Sequence, residues 1–416
     1  MGKGGKSRYT LLSNRLLQEL RAYCKIKRPS VWLFPGRSLD SPMTSITATL
    51  GGHIEKSNSC GFERNAYNSC RNRHCPKCQS LAKAKWLEKR NAELLPVRYF
   101  HNVFTLPHEL NPLALCNKTV LYDLLFKAVS KTLLTFAANP KNSLGGKIGF
   151  ISILHTWNQK LLDHIHLHCL IPAGVLSVDD SCWIHAKEDW LFSIKALSKV
   201  FRGKFIDYLK ESYKDGKLIF PRPVSHLEKE FSKLINQLWK KKWYVYSKES
   251  FDKPEYILDY LGRYTHRVAI DNHRIGSIDN NQVTFWYKDR ANGGKRKSIN
   301  VTGEEFIRRF LLHVLPQSFM RIRYYGFMAN RCRKKKLDVC KTLLEINSIS
   351  NEIHKENTQE MMLRLTGFDI LECPACKKGK MEKVAELPKY LLLTGLLKRA
   401  FILILPRTKE SSSVFS

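Results

Sequence analysis

Hydrophobic and polar positions alternate in several short stretches of the chain, and between them lie longer stretches with helical periodicity. Alternation with a period of two is typical of strands, because successive side chains of a strand point to opposite faces. It predicts strands over 98–105, 147–156, 163–171, 243–247, 267–270, 282–287 and 296–301. Helical periodicity predicts helices over 11–26, 79–95, 118–137, 195–213 and 225–241, and from 254 onward. This order favours an α+β fold with an antiparallel sheet and flanking helices.

One predicted strand carries three histidines that alternate with apolar residues. His164, His166 and His168 all project from one face, whereas the apolar residues project toward a core. A lone histidine is usually a satisfied polar residue, but neighbouring imidazoles on a rigid strand form part of a divalent-metal site, and such a metal can polarise a phosphate. The spacing leaves open which two histidines bind. Asp163 and Gln159 are nearby candidates for a further ligand.

A predicted helix follows about 90 residues later and carries tyrosines on one face. Tyr256, Tyr260 and Tyr264 have the spacing i, i+4, i+8. The alternative is an aromatic core stripe, which we would favour without the histidines. A phenol is a weak nucleophile at neutral pH, so it needs a metal-polarised electrophile or a nearby cation. Three basic residues flank these tyrosines and could steady a phosphate: Arg263, His266 and Arg267.

The charge balance indicates a polyanionic partner. Lys and Arg number 70 against 37 Asp and Glu, which gives a net charge of +33 over 416 residues. A ribosomal-type protein or a membrane-surface protein is the alternative. Aromatic residues interleave with basic ones at 239–244 and 321–325, a pattern that suits single-stranded nucleic acid, although an amphipathic core element has it too.

Cysteine pairs predict a small zinc-binding module near the N-terminus. Cys75 and Cys78 form a Cys-x-x-Cys knuckle, and Cys60 and Cys70 are the expected other ligands of one tetrahedral Zn²⁺. His53 and His74 are possible substitutes. The module would present basic side chains to DNA, in particular Arg71, Arg73 and Lys77. Because the 12 cysteines cluster in pairs and the N-terminus carries no secretory signal, we expect a reducing, cytoplasmic compartment.

A second pair, Cys373 and Cys376, is half of a zinc site, and Cys332 and Cys340 are candidates to complete it. The apolar run 390–406 contains two basic residues, so we expect no membrane span. Three regions are therefore predicted: a basic zinc module over 1–95, the sheet domain with the histidines and tyrosines over 96–330, and a basic C-terminal region over 331–416.

Four motifs occur in an order that resembles one family. They are Ala66–Gln79 (AYNSCRNRHCPKCQ), Leu154–Gln159 (LHTWNQ), His164–Cys169 (HIHLHC) and Tyr260–Val268 (YLGRYTHRV). The chain resembles the two-tyrosine HUH transposases of rolling-circle insertion sequences, the IS-ninety-one group. The resemblance runs from about residue 12 to residue 380. It implies an HUH endonuclease-like sheet preceded by a zinc module.

The resemblance also implies roles for individual residues. The family's His-hydrophobic-His pair falls on His166 and His168, with His164 as an adjacent match, and its two nucleophiles fall on Tyr260 and Tyr264. The implied cofactors are a catalytic Mg²⁺ or Mn²⁺ and a structural Zn²⁺, with no nucleotide. The implied partner is single-stranded DNA at hairpin-containing element ends, in a nucleoid-associated bacterial protein.

In one place the chain departs from the family. The family has a Cys-x-x-Cys pair just after Gly-Gly-His, whereas here Ser57 stands where the first of these cysteines belongs, three residues before Cys60. Weakened zinc binding, or recruitment of another ligand, is therefore expected.

Three alternative functions compete with a tyrosine-dependent strand transferase. A plasmid replication initiator or relaxase would use the same chemistry on a plasmid origin. A zinc-module protein without catalysis would bind DNA and form no covalent adduct. A transposase with a carboxylate triad is disfavoured, because no set of acidic residues stands out in the sequence.

Overall fold

The computed structural model describes most of the chain. The described residues are 52–68, 76–142, 144–186, 191–220, 227–251, 262, 269–270, 274–289, 292–345, 356–367 and 369–387. They fall into two compact units. The larger unit contains the described residues between 79 and 345, and the smaller one combines 52–78 with 356–387.

Thirteen strands are present in the described residues. They are β1 Gly52–Ser57, β2 Glu63–Tyr67, β3 Tyr99–Thr105, β4 Gly149–Trp157, β5 Asp163–Pro172, β6 Gly174–Leu176, β7 Trp183–His185, β8 Tyr244–Phe251, β9 Ile275–Asp279, β10 Gln282–Asp289, β11 Lys295–Thr302, β12 Ile322–Gly326 and β13 Met381–Leu387.

Eight α-helices accompany them in the same part of the chain. They are α1 Pro76–Asn91, α2 Asn111–Cys116, α3 Lys118–Ala138, α4 Ile194–Lys214, α5 Leu227–Lys240, α6 Gly303–Leu312, α7 Arg333–Leu343 and α8 Thr358–Thr366. Side-chain caps fix several starts, since a capping oxygen accepts an otherwise unpaired N–H of the first turn. Thr302 caps α6 through the N–H of Glu305, and Asn357 and Glu360 form a capping box on α8. None of the described helices is long and apolar enough to cross a membrane.

The larger unit is built on a five-stranded antiparallel sheet with the strand order β12-β4-β5-β3-β8. The alternating pattern divides its side chains between two faces. One face packs against α3 and α4 in a large apolar core, to which β5 contributes Ile165, Leu167 and Cys169. The other face of β5 carries His166, His168 and then Leu170, which belongs to a second apolar cluster. The expected α+β fold with an antiparallel sheet is confirmed.

A tight turn joins β4 to β5 and sets the register of these two strands. The Asn158 side-chain oxygen accepts hydrogen bonds from the N–H groups of Lys160 and Leu162, at 2.8 and 3.1 Å. Leu161 adopts a left-handed backbone conformation, with φ of 61°. His313, which follows α6, holds the turn from outside, because its Nε2 donates to the Leu161 carbonyl at 3.0 Å. Burial lowers the pKa of His313 to about 4, so its ring is neutral at pH 7.

A second antiparallel sheet, β9-β10-β11, packs with α6 around a smaller apolar cluster that includes the β4–β5 turn. Predicted strands 282–287 and 296–301 correspond to β10 and β11. The prediction of a strand at 267–270 is wrong for residues 269 and 270, which are the two that the structure describes. Ala269 and Ile270 are not in a strand, because Ala269 has φ of 45° and both side chains are buried in the cluster. Residues 267 and 268 and the helix predicted at 11–26 lie outside the described residues, and of the helix predicted from 254 the first described residue is Gly262, which is helical.

The smaller unit brings distant parts of the chain together. Its sheet has the order β13-β1-β2, with β13 antiparallel to β1 from Gly52 opposite Leu387 to Ser57 opposite Met381. This pairing was not predicted from the sequence, because the pairing of strands more than 300 residues apart leaves no local signal. A C-terminal strand therefore completes the N-terminal hairpin.

Gly326, at the end of β12, is expected to tolerate no side chain. Its φ is +61°, and an added Cβ would lie 1.6 Å from the carbonyl oxygen of Ile148. We expect Gly326→Ala to lower the free energy of unfolding by about 2–5 kcal/mol, measured by urea denaturation. Gly216→Ala is the matched control, because Gly216 has φ of +66° but nothing within 4 Å of the added carbon. It should cost only about 1–2 kcal/mol. Equal losses in the two variants would contradict the proposed clash.

Candidate functional site

Three buried imidazoles meet on the sheet of the larger unit. His155 on β4 is opposite His166 on β5, and His168 is two residues further along β5. The Nε2 atoms of His166 and His168 are 3.0 Å apart, and His155 Nδ1 lies 3.1 Å from His166 Nε2. Each residue is 6% exposed, and the three ligand nitrogens lie within 4.8 Å of one another. We call these three residues the histidine cluster.

Two further contacts orient the cluster. A carbonyl oxygen can only accept, so the 2.6 Å contact between His166 Nδ1 and the His164 carbonyl puts the proton on Nδ1 and leaves Nε2 with its lone pair. His168 Nδ1 lies 2.8 Å from Nε2 of His101, a buried residue of β3. Such outer contacts fix the tautomer and ring orientation of metal-binding histidines.

The electrostatics around His155 favour a neutral ring. Burial lowers the pKa of His155 well below its ordinary value, and the nearby His166 and His168 lower it further. Neutral imidazole is the form that binds metal ions. At pH 7 His155 therefore offers a lone pair and no positive charge.

The nitrogen spacing fits one shared cation. Two imidazole nitrogens that bind one ion at about 2.1 Å and at right angles are separated by about 3.0 Å. The observed separations of 3.0 and 3.1 Å match that value. Imidazole ligands suit Fe²⁺, Ni²⁺, Cu²⁺ and Zn²⁺, and the affinity of a nitrogen site rises along the first-row series from Mn²⁺ to Cu²⁺, whereas Mg²⁺ prefers oxygen.

Two members of the cluster, His166 and His168, were predicted from the sequence, and His155 was not. His155 lies in the quoted motif at 154–159, and it continues the alternation of Ile151 and Ile153 on one face of β4, which was the available signal. His101 was missed as well. Its only signal was its position within the alternating strand β3.

The other predicted ligands occupy different positions. His164 is exposed, and its ring centroid is 4.6 Å from that of His166. Gln159 lies in the β4–β5 turn, where its carbonyl accepts a hydrogen bond from Arg274. Asp163 begins β5. Its pKa is raised by burial, and the nearby charges of Lys118 and Arg308 offset only part of that rise. In the described residues the metal-binding group that includes His166 contains no carboxylate.

The predicted nucleophiles and their basic neighbours lie outside the described residues. This applies to Tyr256, Tyr260, Arg263, Tyr264, His266 and Arg267. Gly262, between them, is described and buried, and an added Cβ there would lie 2.8 Å from Leu87 of α1. Two other tyrosines lie on the histidine face of the sheet. Tyr244 and Tyr246 of the edge strand β8 are 64% and 59% exposed.

A second cluster of possible metal ligands lies in the smaller unit. The sulfur atoms of Cys60, Cys373 and Cys376 lie within 4.8 Å of one another, and Cys60 Sγ is 3.6 Å from Cys373 Sγ. Backbone N–H groups of Gly379 and Lys378 lower the pKa of Cys376 to about 6, which favours the thiolate. Ser57 Oγ is 3.9 Å from Cys376 Sγ. We call these three cysteines the thiol cluster.

The remaining predicted zinc residues either lie outside the described residues or make other contacts. Cys70, Arg71, Arg73, His74 and Cys75 lie outside the described residues, and Lys77 and Cys78 begin α1 with side chains that are not described. His53 bonds to Glu55 at 3.0 Å. Cys340 is fully buried in the second apolar cluster of the larger unit, and burial raises the pKa of its thiol to about 12. Cys332 donates to backbone carbonyls near the start of α7.

Comparison with known proteins gives consistent matches. A family profile described as “Putative transposase” matches residues 149–336, and a “Transposase zinc-binding domain” profile matches residues 35–106. The “Putative transposase y4qJ” of Sinorhizobium fredii is 47% identical over 347 residues, which are 82% of this chain and 87% of that protein.

More distant similarities extend to a second transposase and to a solved structure. The “Transposase for insertion sequence element IS801” of Pseudomonas savastanoi pv. phaseolicola is 28% identical over 68% of this chain and 66% of that protein. The conjugative relaxase TrwC in complex with oriT DNA is 14% identical, with a TM-score of 0.22, over 58% of this chain and 71% of that one.

The profile matches and the relatives define the class of this protein: it is a transposase. The chain belongs to the two-tyrosine transposases of the IS-ninety-one group of insertion sequences, with a transposase zinc-binding domain. The resemblance found in the sequence motifs is confirmed.

The histidine cluster predicts a specific pattern of metal binding. His168→Ala should abolish Mn²⁺ binding measured by calorimetry, because it removes one of three ligands. His101→Ala should weaken Mn²⁺ binding by about 10–100-fold through loss of orientation. Affinity should fall as the pH is lowered, because each imidazole must be neutral. His185→Ala, which changes an exposed histidine on β7, is the control and should bind normally. Unaltered Mn²⁺ binding by His168→Ala would rule out this site.

Proposed function

We propose that this transposase cleaves and joins single-stranded DNA at the ends of its element through a 5′-phosphotyrosine intermediate, with a divalent cation held by the histidine cluster. The observation that carries the proposal is the convergence of three buried imidazoles on one sheet face, at a spacing that fits one ion. A cation bound there would act as a Lewis acid on the scissile phosphate.

Different residues have different roles in this proposal. His155, His166 and His168 would hold the ion, and His101 orients His168 through their 2.8 Å contact. The apolar cluster beside Leu170 and the helices behind the sheet make this frame rigid. A rigid frame matters because phosphoryl transfer depends mainly on positioning and on stabilisation of developing charge.

Tyr260 and Tyr264 are the proposed nucleophiles. A tyrosine oxygen loses its proton and forms a bond to phosphorus, while the bond from phosphorus to the 3′ oxygen breaks and that oxygen gains a proton. One phosphodiester replaces another, so no nucleotide is consumed. The second tyrosine can repeat the step during strand transfer. Arg263 and Arg267 are proposed to contact the phosphate.

Two exposed tyrosines favour single-stranded DNA as the substrate. Tyr244 is in line with Thr105 and His166 across the sheet, and Tyr246 is in line with Val103 and His168. Two strand spacings, about 10 Å, separate β8 from β5. Bases of an unpaired strand can stack on such rings while its phosphates extend toward the histidine cluster. The net charge of +33 supplies attraction for the DNA backbone.

The proposed organisation follows the predicted regions. Residues 96–330 would contain the catalytic part, and the zinc module would bind DNA through Arg71, Arg73 and Lys77. We further propose that the protein acts in the bacterial cytoplasm, where its DNA substrate lies.

The experiment that tests this function is trapping of a covalent adduct. Purified protein is incubated with Mn²⁺ and single-stranded element ends that carry a label on either side of the cut. We expect a denaturation-resistant adduct that retains the label on the 3′ side of the cut. The adduct should be absent in the Tyr260→Phe/Tyr264→Phe double variant, and the single variants should identify which tyrosine cleaves first.

Tyr246→Phe is the matched control for this experiment. It deletes one hydroxyl from an exposed tyrosine on the histidine face but keeps the ring for stacking, so adduct formation should persist. An adduct that survives the double variant but disappears in Tyr246→Phe would move the nucleophile to β8. Tight DNA binding and normal Mn²⁺ binding without any adduct would instead favour a DNA-binding protein without catalysis.

A further inference from the structure

The smaller unit contains two turns with matching hydrogen bonds. In the turn Cys373–Cys376, the sulfur of Cys373 accepts hydrogen bonds from the N–H groups of Ala375 and Cys376, which are at positions i+2 and i+3. In Ser57–Cys60 the hydroxyl oxygen of Ser57 accepts from the N–H groups of the residues at the same two positions, both at 3.4 Å. Ser57 therefore occupies the place that Cys373 occupies in the other turn.

The backbone of the two turns matches as well. The N–H of Gly61 donates to the Ser57 carbonyl at 3.1 Å, and the N–H of Lys377 donates to the Cys373 carbonyl at 3.0 Å. Gly61 and Lys377 each follow the cysteine that ends their turn, Cys60 and Cys376, and both have positive φ, 74° and 58°. The two turns are thus equivalent knuckles, one before and one after the larger unit in the sequence.

The knuckles face each other closely. Asn58 donates from its N–H to the Lys380 carbonyl at 3.0 Å, and its side-chain oxygen accepts from the Lys380 N–H at 2.9 Å. Gly379 permits this approach, because a Cβ there would lie 2.6 Å from Ser57 Oγ. The pairing of β1 with β13 holds both knuckles at one end of the sheet.

The distances between the knuckles fit a tetrahedral zinc ion. Zinc binds thiolate sulfur at about 2.3 Å, which places two sulfur ligands about 3.8 Å apart. Cys60 Sγ and Cys373 Sγ are 3.6 Å apart, and Ser57 Oγ is 3.9 Å from Cys376 Sγ. Ser57 is 3% exposed, so its oxygen is turned inward, like the sulfur atoms.

We propose that one Zn²⁺ is bound by Cys60, Cys373 and Cys376 together, in a composite site whose fourth position is occupied by Ser57. The site joins segments that are more than 300 residues apart, and two of its ligands lie beyond the matched zinc-binding domain, which ends at residue 106. In this assignment Cys60 shares its zinc ion with Cys373 and Cys376, instead of with Cys75 and Cys78 as the sequence predicted. The zinc module consequently requires both parts of the chain.

Zinc stoichiometry tests this assignment without any dependence on strand cleavage. Zinc per chain is measured by mass spectrometry in the full-length wild type, in Cys60→Ser, in Cys373→Ser and in the double variant. A shared site predicts that each single variant loses one equivalent and that the double variant loses the same one equivalent. Loss of two equivalents in the double variant would overturn the proposal, because it would mean two separate sites.

Cys182→Ser is the control for cysteine removal, since Cys182 is an exposed thiol of the larger unit, and it should keep the full zinc content.

A gain-of-function variant keeps the test valid if the serine variants fail to fold. Ser57→Cys should bind the zinc roughly tenfold more tightly or better in competition with a chelator. Substituted Co²⁺ should then show charge-transfer bands of four thiolates instead of three. Unchanged affinity and an unchanged cobalt spectrum would reject Ser57 as the fourth position.

Discussion

The register of β4 and β5 brings three buried imidazole rings close together on one face of a sheet, and the candidate site of the larger unit depends on this proximity. Charged imidazoles at a separation of about 3 Å would repel one another strongly in a buried environment. Burial and mutual proximity lower the pKa of His155, and the His164 carbonyl fixes the proton of His166 away from the cluster. These contacts support the proposed cation site, because groups that are already in position reduce the cost of a reaction.

The fold supplies this arrangement through strand register. A shift of one residue between β4 and β5 would send His155 to the helix-covered face and would bring apolar residues among the remaining histidines. The turn with Asn158, Leu161 and His313 prevents that shift. The apolar residues that alternate with the histidines pack against α3 and α4 on one face of the sheet. Because side chains alternate between faces, this packing places the three histidines together on the opposite face. Stability and chemistry thus rely on the same period of two.

Local patterns in the sequence were sufficient for much of this account. Alternation predicted β3, β4, β5, β10 and β11, and helical periodicity predicted α3, α4 and α5. These patterns were visible because each element buries apolar residues on one face, in the large core or, for β10 and β11, in the smaller cluster. The motifs predicted the family. The partner of His166 across the sheet could not be read from spacing, since His155 is joined to it only by the register of two strands. The partners of Cys60 were missed for the same reason, because the pairing of β1 with β13 is non-local.

The proposed mechanism requires direct contact between an ion at the histidine cluster and the scissile phosphate. Sulfur substitution of one non-bridging oxygen of that phosphate tests it, with cleavage rates measured in Mg²⁺ and in Mn²⁺. Because Mn²⁺ accepts sulfur ligands better than Mg²⁺ does, we expect the substituted strand to be cleaved slowly with Mg²⁺ and the rate to be restored by Mn²⁺. If both stereoisomers of the substituted strand were cleaved as fast as the normal strand with each metal, a direct contact between the ion and the phosphate would be contradicted.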